Sequence, residues 1–224
     1  MILQPVMRTD EHHAAKHAYI LEKVRTEAAC PGAGGKPAIR TVFFGDSLTR
    51  RWEDNPDLWQ NYFSSFAPVN FGVGADTINN ILWRIENEQL ELLSPETLVF
   101  LGGTNSLHDE TAGDIIDTIE YILSLLLEKL PDTSILLLGI FPRNDDADGT
   151  VYNQSIVQIN TALAAAVRAH VFPRTTFADF GPLLLGSDGR LKPELTPDGL
   201  HLNAAGYKII GPELVKLLSR TGTI

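Results

Sequence analysis

The sequence predicts an α/β protein built on one parallel sheet sandwiched between helix layers. Three observations point there. Five short apolar runs bounded by turn residues alternate with helical patterns along most of the chain. The runs containing FF, LVFL and ILLLGI lack polar alternation, as expected of parallel strands covered on both faces. The 224 residues, 44% hydrophobic and 21% charged, have ordinary globular proportions and suffice for a full core.

Ala14 to Ala28 reads as a first helix, with Ala18, Leu21, Val24 and Arg25 on one face. The run Pro31 to Pro37 holds three glycines and two prolines and reads as a linker. Residues 1–38 therefore form a helical extension and Gly/Pro linker, and residues 39–224 the main domain. Strands are expected at Ile39–Phe44, Ala67–Phe71, Thr97–Leu101, Ile135–Ile140 and Thr175–Ala178. Helices are expected at Thr77–Ile85, Asp114–Leu130, Gln154–His170 and Asn203–Leu218, the last with Asn203 as N-cap.

Composition excludes several function classes. Lys and Arg total 18 against 28 Asp and Glu, a formal charge of −10. Such a chain lacks the basic footprint for nucleic acid and is repelled by anionic membrane surfaces. Cys30 is the only cysteine, so no intrachain disulfide or multi-cysteine metal site forms. No stretch of roughly 18 apolar residues and no basic-then-apolar leader is visible, which gives a cytoplasmic expectation.

In such sheets, ligands sit at the carboxyl ends of the strands. After the first strand comes Gly45-Asp46-Ser47-Leu48-Thr49. A serine there stands exposed above a sheet, although taken alone the Asp-Ser pair reads first as a helix N-cap. After the second comes Gly72-Val73-Gly74-Ala75-Asp76-Thr77, where the glycines admit a close ligand. A dinucleotide site would need a third glycine at Thr77, and a tight turn capped by Asp76 competes. After the third comes Gly102-Gly103-Thr104-Asn105, whose amide suits an oxyanion or a plain turn. Near the C-terminus, Asp198 precedes His201 by three, which would place both side chains on one side of a helical turn.

Together these supply every part of an acyl-transfer site. Ser47 is the nucleophile, His201 the base and Asp198 the orienter. Backbone N–H groups near Ser47 and Ala75 and the Asn105 amide would bind the oxyanion.

The ordered blocks GDSL, NFGVGAD, GGTN and DGLH resemble the SGNH (GDSL) hydrolase family of serine esterases over about residues 39–219. The resemblance implies a flavodoxin-like three-layer α/β/α sandwich, strand order 2-1-3-4-5, with no cofactor and no metal. It places the family's serine, asparagine and Asp/His pair on Ser47, Asn105, Asp198 and His201. The family's oxyanion glycine falls on Ala75, and Ser106 stands where the family has Asp or Asn. It implies a substrate-binding set of Leu48, Gly74, Thr104 and Leu200, and a small acyl pocket favouring acetyl esters of a small molecule or carbohydrate. Related members associate as dimers, so a homodimer is an expectation. Acyl transfer by the same triad and a non-hydrolytic binding module are the alternatives.

Other features have competing readings. His12, His13 and His17 lack a further acidic or histidine ligand for a metal. Arg143 to Gly149 has calcium-loop composition without the downstream glutamate, so a solvated loop is expected. Trp52 and Trp59 read as core or interface, with a sugar platform as the alternative, and Trp83-Arg84 as an anchor of its helix on the sheet.

Overall fold

The computed structural model describes residues 4–29, 37–145 and 151–221. Cys30, residues 31–36 of the Gly/Pro run and residues 146–149 of the Arg143–Gly149 loop lie outside them. Five parallel strands, β1 (Thr41–Gly45), β2 (Pro68–Gly72), β3 (Thr97–Leu101), β4 (Ser134–Leu138) and β5 (Thr175–Ala178), form one sheet in the order β2-β1-β3-β4-β5. The order reverses at β1, so the crevice beside its carboxyl end is where a ligand is expected.

The continuous apolar runs serve two cores, because successive side chains leave a strand on opposite faces. Val42, Phe44, Leu98, Phe100, Ile135 and Leu137 enter one core. Helices α1 (Glu11–Ala29), α4 (Ile78–Asn87), α5 (Ala112–Lys129) and α6 (Val151–Arg168) cover it. Phe43, Val99, Leu101, Leu136 and Leu138 enter the other. That face is closed by the short α2 (Ser47–Arg50) with α3 (Pro56–Phe63), α7 (Gly181–Leu184) and α8 (Ala204–Thr221). Trp52 is 3% exposed and belongs to this second core, with Trp59 packed against it. Asn203 caps α8, its Oδ1 accepting from Ala205 N at 2.8 Å and Gly206 N at 3.2 Å.

The first helix departs from expectation. It buries His13, Ile20, Val24 and Glu27, whereas Ala18 and Arg25 are exposed. The stripe 13-17-20-24-27 follows the helical period and carries the larger apolar pair, Ile20 and Val24. Glu27 has a specific task there, since Oε1 accepts from the N–H groups of Ala38 (2.6 Å) and Ile39 (3.2 Å).

Arg84 anchors α4 to the sheet and does more. Its guanidinium is fully buried and donates to Phe71 O and Gly45 O, both at 2.8 Å. It also pairs with the fully buried carboxylates of Asp76 (2.7 Å) and Glu88 (3.4 Å) and lies 4.4 Å from the Phe44 ring centre. One side chain thus bonds carbonyls at the carboxyl ends of two neighbouring strands and pairs with two buried charges. Removing one partner of such a group leaves uncompensated charge, a loss of about 3–5 kcal/mol. Arg84→Met should lower unfolding free energy in urea by about that amount. A loss below about 1 kcal/mol, within the range of exposed pairs, would contradict this role.

Candidate functional site

Ser47 sits where β1 hands over to α2. Close approach is built into the strand ends: a Cβ on Gly45 would lie 1.9 Å from Leu101 O, and one on Gly72 2.3 Å from Arg50 N. The turn is held from several sides. Asp46 N donates to Leu101 O (3.3 Å), Asn70 Nδ2 to Thr49 O (2.9 Å) and Tyr207 Oη to Leu48 O (2.8 Å). Asp46 is the N-cap, accepting from Leu48 N at 2.9 Å. The cap reading therefore holds on Asp46, whereas Ser47 is 6% exposed, so the serine does not stand exposed above the sheet as expected but is largely covered at the turn.

Ser47 Oγ lies 3.0 Å from His201 Nε2, and His201 Nδ1 lies 2.7 Å from Asp198 Oδ2. Asp198 Oδ1 also accepts from Leu200 N (3.1 Å) and His201 N (2.8 Å). Partial desolvation raises the Asp198 pKa, but the His201 ring and the two backbone N–H groups outweigh it and hold the carboxyl down at about 2. A carboxylate only accepts, so Nδ1 carries the ring hydrogen. Nε2 of the neutral ring is left to accept from Ser47 Oγ–H.

Residues 196–201 are not the helical turn expected from the spacing. Gly199 has φ +79°, which breaks helical continuation, and the Asp198 side chain closes the turn instead. Gly199 also meets a neighbour: Asn144 N donates to Gly199 O at 2.7 Å, and a Cβ there would lie 3.0 Å from the Asn144 backbone.

Asn105 Nδ2 donates to Asp76 O at 2.9 Å, which leaves its second amide hydrogen available. Ala75 is exposed with φ +61°, a left-handed conformation in which a glycine carries no Cβ strain. Its N–H donates to nothing among the described residues. Asp76 caps no helix; Thr77 does, with Asn80 completing a capping box, and Asp76 instead pairs with Arg84. Ser106 Oγ accepts from Ile78 N at 2.9 Å and so braces the same helix start.

Of the four residues expected to line the substrate pocket, Leu48 and Thr104 are each 1% exposed. Leu48 packs in the second core, and Thr104 is held by Arg143 through O (2.7 Å) and Oγ1 (3.2 Å). Gly74 and Leu200 are half-buried. Arg143 itself is buried, which corrects the solvated-loop expectation at that residue. Its place directly after Pro142, beyond the carboxyl end of β4, is the sequence signal for it. His17 Nδ1 lies 3.1 Å from Glu88 Oε1, His13 is buried near Asp76, and His12 is exposed. Among the described residues no group of three His, Cys, Asp or Glu side chains is arranged for a metal. No described helix is long and apolar enough to cross a membrane.

Asp46 is fully buried and its Oδ2 has no partner among the described residues. Burial pushes its carboxyl up to about 7 against the pull of the Leu48 N–H. An unfolded Asp titrates near 4, so across roughly pH 4 to 7 the unfolded chain releases a proton that the folded chain keeps. This group therefore makes stability fall as pH rises through that window. Asp46→Asn keeps the cap acceptor and removes the effect. Its unfolding free energy relative to wild type should rise between pH 5 and pH 8; an unchanged difference would mean Asp46 is ionised throughout.

Residues 43–209 match the GDSL-like lipase/acylhydrolase family. Platelet-activating factor acetylhydrolase IB subunit alpha1 of Homo sapiens is 34% identical over 179 residues, 80% of this chain and 75% of that one. Subunit alpha2 of Bos taurus is 30% identical over 177 residues, 79% of this chain and 75% of its own length. The crystal structure of a GDSL-like lipase from Bacteroides thetaiotaomicron superimposes with a TM-score of 0.71 at 21% identity, covering 89% of this chain and 97% of that one, a likeness of fold. On the family match and the identity to its curated members, this chain belongs to the GDSL-like lipase/acylhydrolase family of ester hydrolases.

Proposed function

We propose that the protein hydrolyses short-chain esters, acetyl first, through an acyl intermediate on Ser47. The observation that carries this reading is the hydrogen-bonded series Ser47–His201–Asp198, assembled from residues 154 positions apart. His201 Nε2 takes the Oγ proton as Oγ attacks the ester carbonyl. The tetrahedral oxygen is met by the N–H of Ser47, which opens α2 and has no helical partner, by the Ala75 N–H and by the free amide hydrogen of Asn105. His201 then passes the proton to the leaving alcohol, and water repeats the cycle on the acyl-enzyme. A binding module has no use for a base aligned on a serine.

Two observations support a small acyl group. Leu48, beside the nucleophile, is packed among core side chains, and Thr104, beside Asn105, is pinned by a buried guanidinium. Neither can move aside without disturbing close-packed neighbours, about 1–3 kcal/mol. The relatives named as acetylhydrolases point the same way. The alcohol portion is taken to be a small molecule or carbohydrate.

A series of aryl esters from acetyl to octanoyl, with Ser47→Ala as control, tests this reading. Turnover should fall with chain length and vanish in the control. Octanoyl turnover above acetyl would overturn the acyl preference, and full activity in Ser47→Ala would overturn the mechanism.

A further inference from the structure

The peptide joining Gly74 to Ala75 carries the Gly74 carbonyl and the Ala75 N–H. In a trans peptide these lie on opposite edges of one rigid plane. Arg8 reaches that carbonyl from the segment ahead of α1, with Nη1 donating to Gly74 O at 2.5 Å. The guanidinium is itself fixed. Nη1 donates to Asp76 Oδ1 at 3.0 Å and Nε to Asp10 Oδ2 at 2.9 Å. The strand of chain that delivers it is tied to α4, since Val6 N donates to Asn79 O (3.1 Å) and Asn80 Nδ2 to Val6 O (2.9 Å). On the far side of the turn, Asp76 is held through its carboxylate by Arg84 and through its carbonyl by Asn105.

We propose that Arg8 is a positioning residue of the oxyanion site, acting through the Gly74–Ala75 peptide. The inference rests on the reading of the Ala75 N–H as an oxyanion donor. Two effects follow from the contact. Ala75 occupies the left-handed region that a side chain disfavours, so the turn gains by rotating this peptide, and rotation would turn away the N–H that the proposed mechanism uses. A cation on the carbonyl opposes that rotation. The same charge polarises the amide and strengthens the N–H on its other edge. Residues before α1 thereby become part of the site although none of them meets the reacting atoms.

The test is steady-state hydrolysis of an aryl acetate by the full chain. Arg8→Ala should lower kcat by about 10-fold or more, less than the 10²–10³ of a deleted donor, with KM little changed. Arg8→Lys should recover part of the loss, and methylguanidinium added to Arg8→Ala should restore turnover. Lys16→Met breaks a different N-terminal tether, the 2.8 Å pair of α1 with Glu53, and should leave kcat unchanged. Wild-type kcat in Arg8→Ala, a loss confined to KM, or an equal loss in Lys16→Met would overturn the proposal. Ser47→Ala separates the two readings. If it is inactive while Arg8→Ala is fully active, only the Arg8 role falls; if it is active, the esterase mechanism falls with it.

Discussion

The carbonyl ends of a parallel sheet must find donors, and beside Ser47 a buried guanidinium supplies them to two adjacent strands. Arg84 joins Gly45 O, one residue before Asp46-Ser47, to Phe71 O, at the start of the loop that carries Ala75 and Asp76. Its pairing with Asp76 then sets the far end of that loop. The relative position of the serine and the left-handed turn thus depends on one side chain fully removed from water. Its charge is tolerated there because Asp76 and Glu88 are buried with it, and because Nη1 and Nη2 also donate to backbone oxygens.

The other half of the site has a matching brace. Arg143 grips Thr104, next to Asn105, and the adjacent Asn144 donates to Gly199 O and to Leu191 O. The loops that carry Asn105 and His201 are therefore cross-linked through the residues following β4. The loops carrying Ser47, Ala75, Asn105 and His201 are thus each held by Arg84, Arg143 or Asn144. Such second-line support is what fixes reacting groups to the tolerance that proton transfer requires.

Much of this was legible in the sequence, and for physical reasons. A strand buried on both faces has to be apolar throughout, so FF, LVFL and ILLLGI mark the sheet without help from its neighbours. The rule that ligands gather at carboxyl ends then picks out Ser47 and Asn105, and the spacing to Asp198 picks out His201. What escaped depends on tertiary partners. The Asp198–His201 spacing fits a helical turn until Gly199 takes φ +79° against Asn144. Ala18 and Arg25 are as helical as Ile20 and Val24, and only the sheet decides which face is covered. Arg8 and Arg143 are isolated cations in the sequence, and their value lies in carbonyls 66 and 39 residues away.

The central claim is that Ser47 Oγ, aligned on His201, is the nucleophile. Phosphonylation by a fluorophosphonate, followed by digestion and mass spectrometry, tests it most directly, because the reagent reports a nucleophilic hydroxyl without assuming a substrate. The account predicts one adduct, on the peptide containing Ser47, formed far more slowly in His201→Ala. An adduct on another residue, or labelling of Ser47 that ignores the loss of His201, would contradict it.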